Sequence, residues 1–146
     1  MRTLYKSLTA VALLLCSVGT ALAQQSEMFG PYELHYSVVN TTFLEPDVAK
    51  AYGIARGKKK AILNLSLREH TETGTVARTM LLKGKTWDLI HNQPLEFMEV
   101  REGQAIYYIA EFSFINEEWR FFQMDFRPDG ATQSYQYKFT HQLYLI

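Results

Sequence analysis

Ala105-Ile106-Tyr107-Tyr108-Ile109-Ala110-Glu111-Phe112-Ser113-Phe114, the triplet Asn116-Glu117-Glu118, and Trp119-Arg120-Phe121-Phe122-Gln123-Met124-Asp125-Phe126-Arg127 together decide the fold of this chain. In the first run Ile106, Tyr108, Ala110, Phe112 and Phe114 fall on one face; in the last, Phe122, Met124 and Phe126 do the same. Side chains alternate faces along a strand, so period-two apolar spacing bounded by a polar turn marks half-buried strands.

The same pattern continues on both sides. Downstream, Pro128-Asp129-Gly130 supplies a turn, and Tyr135, Tyr137, Phe139, His141, Leu143 and Leu145 share one face of a closing strand. Upstream, Arg101-Glu102-Gly103-Gln104 reads as a tight connection, and residues 95–101 are less regular because Phe97 and Met98 point opposite ways. Residues 76–82 and 86–90 read as strands separated by a Lys83-Gly84-Lys85 turn. Ala61, Leu63, Leu65 and Leu67 mark another strand, and Tyr32, Leu34, Tyr36 and Val38 the first. Between those two, Glu45-Pro46-Asp47-Val48-Ala49-Lys50-Ala51-Tyr52-Gly53 is helical, with Pro46 suited to the first helical position and Gly53 to the residue past the end. Glu45 is a weaker cap than Ser, Thr, Asp or Asn. Seven or eight short strands with one short helical crossover give an all-β fold, an immunoglobulin-like β-sandwich, with a small closed barrel as the competing architecture.

The first residues carry a different message. Met1-Arg2-Thr3-Leu4-Tyr5-Lys6 is basic, residues 11–15 are apolar, and Ala21-Leu22-Ala23 is a small-x-small site. This is a secretory leader. Its apolar run falls short of the roughly 20 residues that span a bilayer. Residues 1–23 are therefore expected to be cleaved after Ala23, leaving residues 24–146 as a single domain in the periplasm. Cys16 follows Leu15 inside the apolar run, which is not a lipoprotein context, so the mature chain is expected to lack cysteine and with it disulfides, thiolate metal sites and Cys nucleophiles. Removing Arg2 and Lys6 turns a balance of 15 basic and 15 acidic residues into a slight acidic excess. No basic surplus points to nucleic acid or to an anionic membrane.

Few residues are arranged for chemistry. Acyl transfer needs a nucleophile beside an oriented base, and no nucleophile-elbow sequence frames any serine. His35, His70, His91 and His141 are far apart in sequence, and His35 and His141 are expected on opposite kinds of face, so no metal site and no cofactor is expected. The acidic pairs Glu117-Glu118 and Glu99 with Glu102 sit in or beside turns, where carboxylates are ordinarily solvated. Lys58-Lys59-Lys60, with Arg56, is the one basic cluster; it reads as an exposed strand entry that resists edge pairing, with a phosphate or lipid-headgroup contact as the lesser reading.

Nine Phe, nine Tyr and two Trp are the most informative remainder. Most can be hidden between two sheets, but Trp119 and Phe121 alternate against the Phe122, Met124 and Phe126 face and should point outward. An exposed apolar patch there would be a partner surface.

Val39-Asn40-Thr41-Thr42-Phe43-Leu44, followed by Pro46, Val48-Ala49-Lys50-Ala51-Tyr52-Gly53-Ile54, resembles a family of small Gram-negative periplasmic proteins known as a domain of unknown function. Arg101-Glu102-Gly103, Ala105-Ile106-Tyr107-Tyr108 and the aromatic closing strand are similar to that family too, so the likeness runs along the whole mature chain. The resemblance implies a periplasmic sandwich and brings no catalytic residue or ligand with it. Physically, Asn40, Thr41 and Thr42 suit bonds to nearby backbone at a strand exit, with Phe43, Leu44 and Tyr52 pinning the helix; the functional alternative is a groove with Asn40, Thr41 and Thr42 as its polar lip. The expected function is a non-catalytic periplasmic binding or accessory module that touches an envelope protein or component, without stable membrane insertion and without nucleic acid. Asn40, Thr41, Thr42, Phe43, Tyr52, Trp119 and Phe121 are the candidate contact residues. A carrier of a small apolar ligand is the alternative, and a hydrolase with an unrecognised site the third reading.

Overall fold

The computed structural model describes residues 25–146, so the expected leader, its cleavage after Ala23 and the fate of Cys16 lie outside the described residues. Ten strands are described: β1 (Gln25–Phe29), β2 (Tyr32–Asn40), β3 (Lys60–Thr71), β4 (Gly74–Arg78), β5 (Met80–Trp87), β6 (Asn92–Leu95), β7 (Met98–Glu102), β8 (Ala105–Ser113), β9 (Glu118–Pro128) and β10 (Tyr135–Leu143). A 3-10 turn (Thr41–Phe43) and a short helix, α1 (Pro46–Ala51), lie between β2 and β3. The first sheet runs β1-β2-β3-β8-β7, with β4 also on β3; the second runs β10-β9-β5-β6. All pairs are antiparallel. The two sheets face each other without closing into a barrel, so the chain is the immunoglobulin-like sandwich with a short helical crossover that the alternation called for.

Ten strands stand where the sequence suggests seven or eight, for local reasons. Strand β1 has no alternation, since four of its five residues are exposed. The run 76–82 is broken at Thr79, where the chain leaves the first sheet (β4) for the second (β5). Strand β5 then passes straight through Lys83-Gly84-Lys85, which is not a turn. Gly84 is there because a side chain would collide with its neighbour: a Cβ would stand 2.8 Å from Phe97 Cε2. Phe97 lies where the chain crosses back between β6 and β7, so the opposed directions of Phe97 and Met98 mark a change of sheet.

The inter-sheet core takes the alternating faces seen in the sequence. Leu34, Leu63, Leu65, Leu67, Phe122 and Met124 have no area open to water. Each such aliphatic or aromatic side chain contributes about 1.5–3 kcal/mol by leaving water. The sheets are also joined by polar bonds inside the apolar layer. Tyr108 Oη on β8 donates to Glu99 at 2.9 Å and accepts the Met80 N–H of β5 at 3.0 Å. Burial pushes its pKa up to about 12. Tyr137 Oη donates to Tyr36 Oη across the sheets at 2.7 Å, below a ladder in which Phe139 stacks on Phe122 at 4.7 Å.

A second, smaller core lies on the outer face of the first sheet. Val39, Ile62, Val100 and Ile109 present their outward side chains to Leu44, Ala49 and Ile54 of the crossover. Helix α1 begins at Pro46 with no side-chain cap on Glu45. It ends in a Schellman arrangement, in which the Gly53 N–H reaches Lys50 O at 3.1 Å and the Ile54 N–H reaches Ala49 O at 2.8 Å. Gly53 takes φ +68°, the left-handed conformation this ending requires. That reversal returns Ile54 to the same apolar cluster as Ala49 and fixes the crossover on the sheet.

Candidate functional site

The outer face of the second sheet carries an aromatic corner. The β5–β9 register sets Trp87 opposite Phe121, and their rings stack at 5.6 Å with planes 12° apart. Lys85 Nζ stands 5.4 Å from the Trp87 ring, close enough for a cation–π contact. Two residues before Phe121 on the same face, Trp119 is 57% exposed. The chain then turns out of β5, and Leu89 and Ile90 at the tip are 98% and 86% exposed. Trp119 and Phe121 thus share one outward face, as their alternation requires. The most exposed apolar side chains beyond β5, Leu89 and Ile90, come from a segment whose sequence reads as more strand.

The turn is held rigidly by charge. Asp88 Oδ1 accepts the N–H groups of Ile90 at 2.7 Å and His91 at 2.6 Å, and the Asp88 N–H reaches His91 O at 3.0 Å. The His91 and Ile90 amides, helped by a hydrogen bond with Glu118, hold the Asp88 carboxyl well below the usual carboxylate range. Beneath it Arg120, whose side chain is 5% exposed, has Nη1 3.4 Å from Asp88 Oδ2 and 3.3 Å from Glu118 Oε1. Its Nη2 donates to Ser113 O, and its guanidinium lies 5.4 Å from the Phe112 ring. Glu118 accepts the Ile115 N–H at 2.7 Å, while burial and the nearby Asp88 hold its carboxyl above the ordinary value. Arg120 Nε and Glu118 Oε1 have no hydrogen-bond partner. An open cleft of about 370 Å³ borders this cluster, lined in part by His91, Phe114 and Ile115. The arrangement pins the 88–91 turn to β9 and gives the cleft a polar floor.

The family model of the domain of unknown function DUF4426 matches residues 26–145. The chain belongs to the DUF4426 family. It is 29% identical to a DUF4426 protein of Pseudomonas aeruginosa PAO1, whose crystal structure superposes with a TM-score of 0.73 over 84% of this chain and 96% of that one. FetP of uropathogenic Escherichia coli strain F11 is similar in fold alone. A copper-bound variant superposes at TM-score 0.59 with 10% identity over 82% of this chain and 94% of that chain. The as-isolated protein gives 0.60 with 9% identity over 85% and 95%. No curated protein matches the sequence.

In this DUF4426 chain the other candidate residues divide sharply. Asn40 and Thr41 are buried and bonded to backbone: Asn40 Nδ2 donates to Tyr144 O at 2.7 Å, and Thr41 Oγ1 stands 3.0 Å from both Gly57 O and Lys60 O while accepting the Gly57 N–H at 3.0 Å. Thr42 is half-buried, with a 3.5 Å contact to Ile146 O, and its carbonyl accepts from Arg56. Phe43 is 44% exposed, and Tyr52 is half-buried against the second core. The motif therefore fastens the crossover and the 144–146 segment to the end of the sandwich. Of its candidate residues, Phe43 is the exposed one.

His35 and His70 both approach Glu33, at 3.0 and 3.6 Å, and His91 approaches Asp88 at 3.3 Å. Among the described residues no three His, Cys, Asp or Glu side chains are placed to hold a metal ion. Sequence reasoning missed Trp87, Asp88 and Arg120. A signal existed for Arg120 alone: it is the charged member of the otherwise apolar Phe122, Met124, Phe126 face.

Proposed function

We propose that this protein is a non-catalytic binding module of the bacterial periplasm, exported on residues 1–23, that contacts an envelope component through the corner formed by Trp119, the stacked Trp87 and Phe121, and the Leu89-Ile90 turn. The exposure of Trp119, Leu89 and Ile90 on one rigid corner carries this reading, because soluble domains rarely leave large contiguous apolar groups in water without a partner. The basic, apolar and small-x-small order of residues 1–23 supports export. Binding is favoured over catalysis because the His35, His70 and His91 rings take the carboxylates of Glu33 and Asp88 as partners, and His35, although it lies across the β2–β3 ladder from Ser66, makes no hydrogen bond to that hydroxyl. It is favoured over an apolar-ligand carrier by a core whose central side chains have no open area, where such a ligand would need a cavity of about 300 Å³ or more.

Photo-crosslinking in living cells tests the proposal. Probes at Trp119 and Phe121 are expected to capture the same defined envelope component, while a probe at Val76 on the first sheet does not. Identical capture from all three positions, or none from any, overturns it. Sequencing of the mature N-terminus is expected to begin at Gln24.

A further inference from the structure

The end of the sandwich that bears the Trp119 corner gathers most of the exposed apolar side chains. Six strand termini meet there: the ends of β2, β5, β8 and β10 and the starts of β3 and β9, as the pairs Asn40↔Ala61, Lys60↔Ser113, Trp87↔Phe121 and Leu143↔Glu118 show. The two sheets are stitched together at this end. Asn40 Nδ2 at the end of β2 reaches Tyr144 O beyond β10, and the Leu145 N–H reaches Asn116 Oδ1 in the β8–β9 turn at 2.9 Å, while the Phe114 N–H extends the β3–β8 pairing to Lys59 O at 2.9 Å. Of the 12 exposed large apolar side chains among the described residues, this end carries Phe43, Leu89, Ile90, Ile115 and Trp119, together with residues 144–146. Met28, Val76, Leu81 and Met98, which lie elsewhere, are the remainder. The concentration at one pole distinguishes it from ordinary surface scatter.

Charge at the same pole is mixed but locally basic. Arg56, Lys58 and Lys59 are exposed and Lys60 half-buried, and the Lys59 carbonyl is bonded directly beside Ile115. None of Lys58, Lys59 or Lys60 is paired with a carboxylate among the described residues. Nearby acidic groups are either engaged or set to one side. Asp88 and Glu118 face Arg120, Glu111 accepts the Ala55 N–H at 3.2 Å, and Glu45 and Asp47 stand at the start of α1. Exposed Glu117 sits in the 116–118 turn. Aliphatic tips with a Trp and a Tyr, next to unpaired lysines, are the chemistry of a surface that meets both acyl chains and anionic headgroups.

We infer that this pole docks reversibly on an anionic lipid bilayer, Leu89, Ile90 and Ile115 entering the headgroup–acyl boundary while Lys58, Lys59 and Lys60 meet phosphate groups. The inference rests on the binding reading above and names its partner. It fits a rigid turn: a membrane-entering tip that is already ordered loses little conformational entropy on binding. The contact is peripheral, since among the described residues no helix is long and apolar enough to cross a membrane.

Vesicle co-sedimentation tests it, using the chain from Gln24 onward, whose residues 25–146 carry both cores. Phosphatidylglycerol–phosphatidylcholine vesicles are expected to bind it, with weakening at high salt and a blue shift of Trp119 fluorescence. Phosphatidylcholine alone should bind poorly. Leu89→Ser/Ile90→Ser and, separately, Lys58→Gln/Lys59→Gln/Lys60→Gln should each lower partitioning by about tenfold or more. Their unfolding midpoints should match the parent because Leu89, Ile90, Lys58 and Lys59 are exposed and the half-buried Lys60 forms no ion pair among the described residues. Absence of binding to anionic vesicles, or binding untouched by both variants, overturns the inference. If vesicles fail while the Trp119 probe still captures one protein, or a second copy of this chain, the pole is a protein interface. In that case the lipid inference falls and the binding-module reading stands. If the cellular probes capture nothing, the binding-module reading falls first.

Discussion

Thr41→Val isolates what the Asn40-Thr41-Thr42 motif does. The exchange keeps shape and volume and removes one hydroxyl. That hydroxyl accepts the Gly57 N–H and has a single proton to share between Gly57 O and Lys60 O, each 3.0 Å away. Thr41 has no exposed area, so water cannot fully replace it, and one donor and one acceptor are left without partners. A stranded polar group costs about 1–3 kcal/mol, and Gly57 and Lys60 are only half-buried, so a total of about 2–3 kcal/mol is expected. Unfolding entropy of about 2.1 cal/mol/K per residue converts that into a fall in Tm of about 10 °C for a domain of this length. Thr42→Val is the matched control, because its contact to Ile146 O is 3.5 Å long and exposed; it should move Tm by no more than about 2 °C. Thr41→Ser retains the hydroxyl, loses a methyl group worth about 1 kcal/mol, and should fall between. Thermal unfolding followed by circular dichroism, with urea midpoints alongside, measures all three. The reasoning fails if Thr41→Val loses no more than Thr42→Val, or if Thr41→Ser loses as much as Thr41→Val.

Gly84→Ala sets a Cβ 2.8 Å from Phe97 Cε2 and should destabilise by about 2 kcal/mol. Combined with Phe97→Ala its cost should shrink by about 1 kcal/mol or more, which a double-mutant cycle in urea reads directly. Arg120→Met should cost about 3 kcal/mol by removing a buried guanidinium and leaving the half-buried Glu118 and Asp88 uncompensated. It should also accelerate hydrogen exchange at the Ile90 and His91 amides if the turn hangs on Arg120. Glu102 is buried with neither carboxylate oxygen hydrogen-bonded, and burial raises its pKa above the usual 4.5. The folded state therefore holds the proton more tightly than the unfolded chain, a contribution fully present below about pH 4.5 and lost as pH rises through the folded value. Glu102→Gln should accordingly raise Tm at about pH 7.5 and leave it unchanged at about pH 4, in a series of melts across that range.

How far the sequence was legible follows from how local each signal is. The alternations in β2, β3, β8, β9 and β10 needed only neighbouring residues, and the helix needed only Pro46 and Gly53 at its two ends. Thr79 and Phe97, where the chain changes sheet, gave no local sign beyond a broken alternation, because the sheet a strand joins depends on distant partners. Gly84 looks like a turn from its Lys neighbours and becomes a strand residue only once Phe97 arrives from the next segment. The outward direction of Trp119 and Phe121 was readable from period two alone. Their stacking partner Trp87 and the Asp88–Arg120 contact were not, since both depend on the β5–β9 register joining residues more than 30 positions apart.

Strand β3 has a consequence for how the chain reaches this state. It pairs with β4 through a tight turn and with β2 across the crossover that carries α1, but its first half waits on the other edge for β8, where Lys60 meets Ser113 and Leu65 meets Tyr108. Until those 43 to 53 intervening positions are brought round, Leu63 and Leu65 form part of an open apolar edge. Non-local closure of this kind places folding in the range of about milliseconds to seconds, and the waiting edge is where two unfinished chains would pair. Co-expression or refolding at high concentration should thus fail first through the 61–67 segment, with Asn64 and Ser66 on the alternate face as the positions where a charge would protect the unfinished chain.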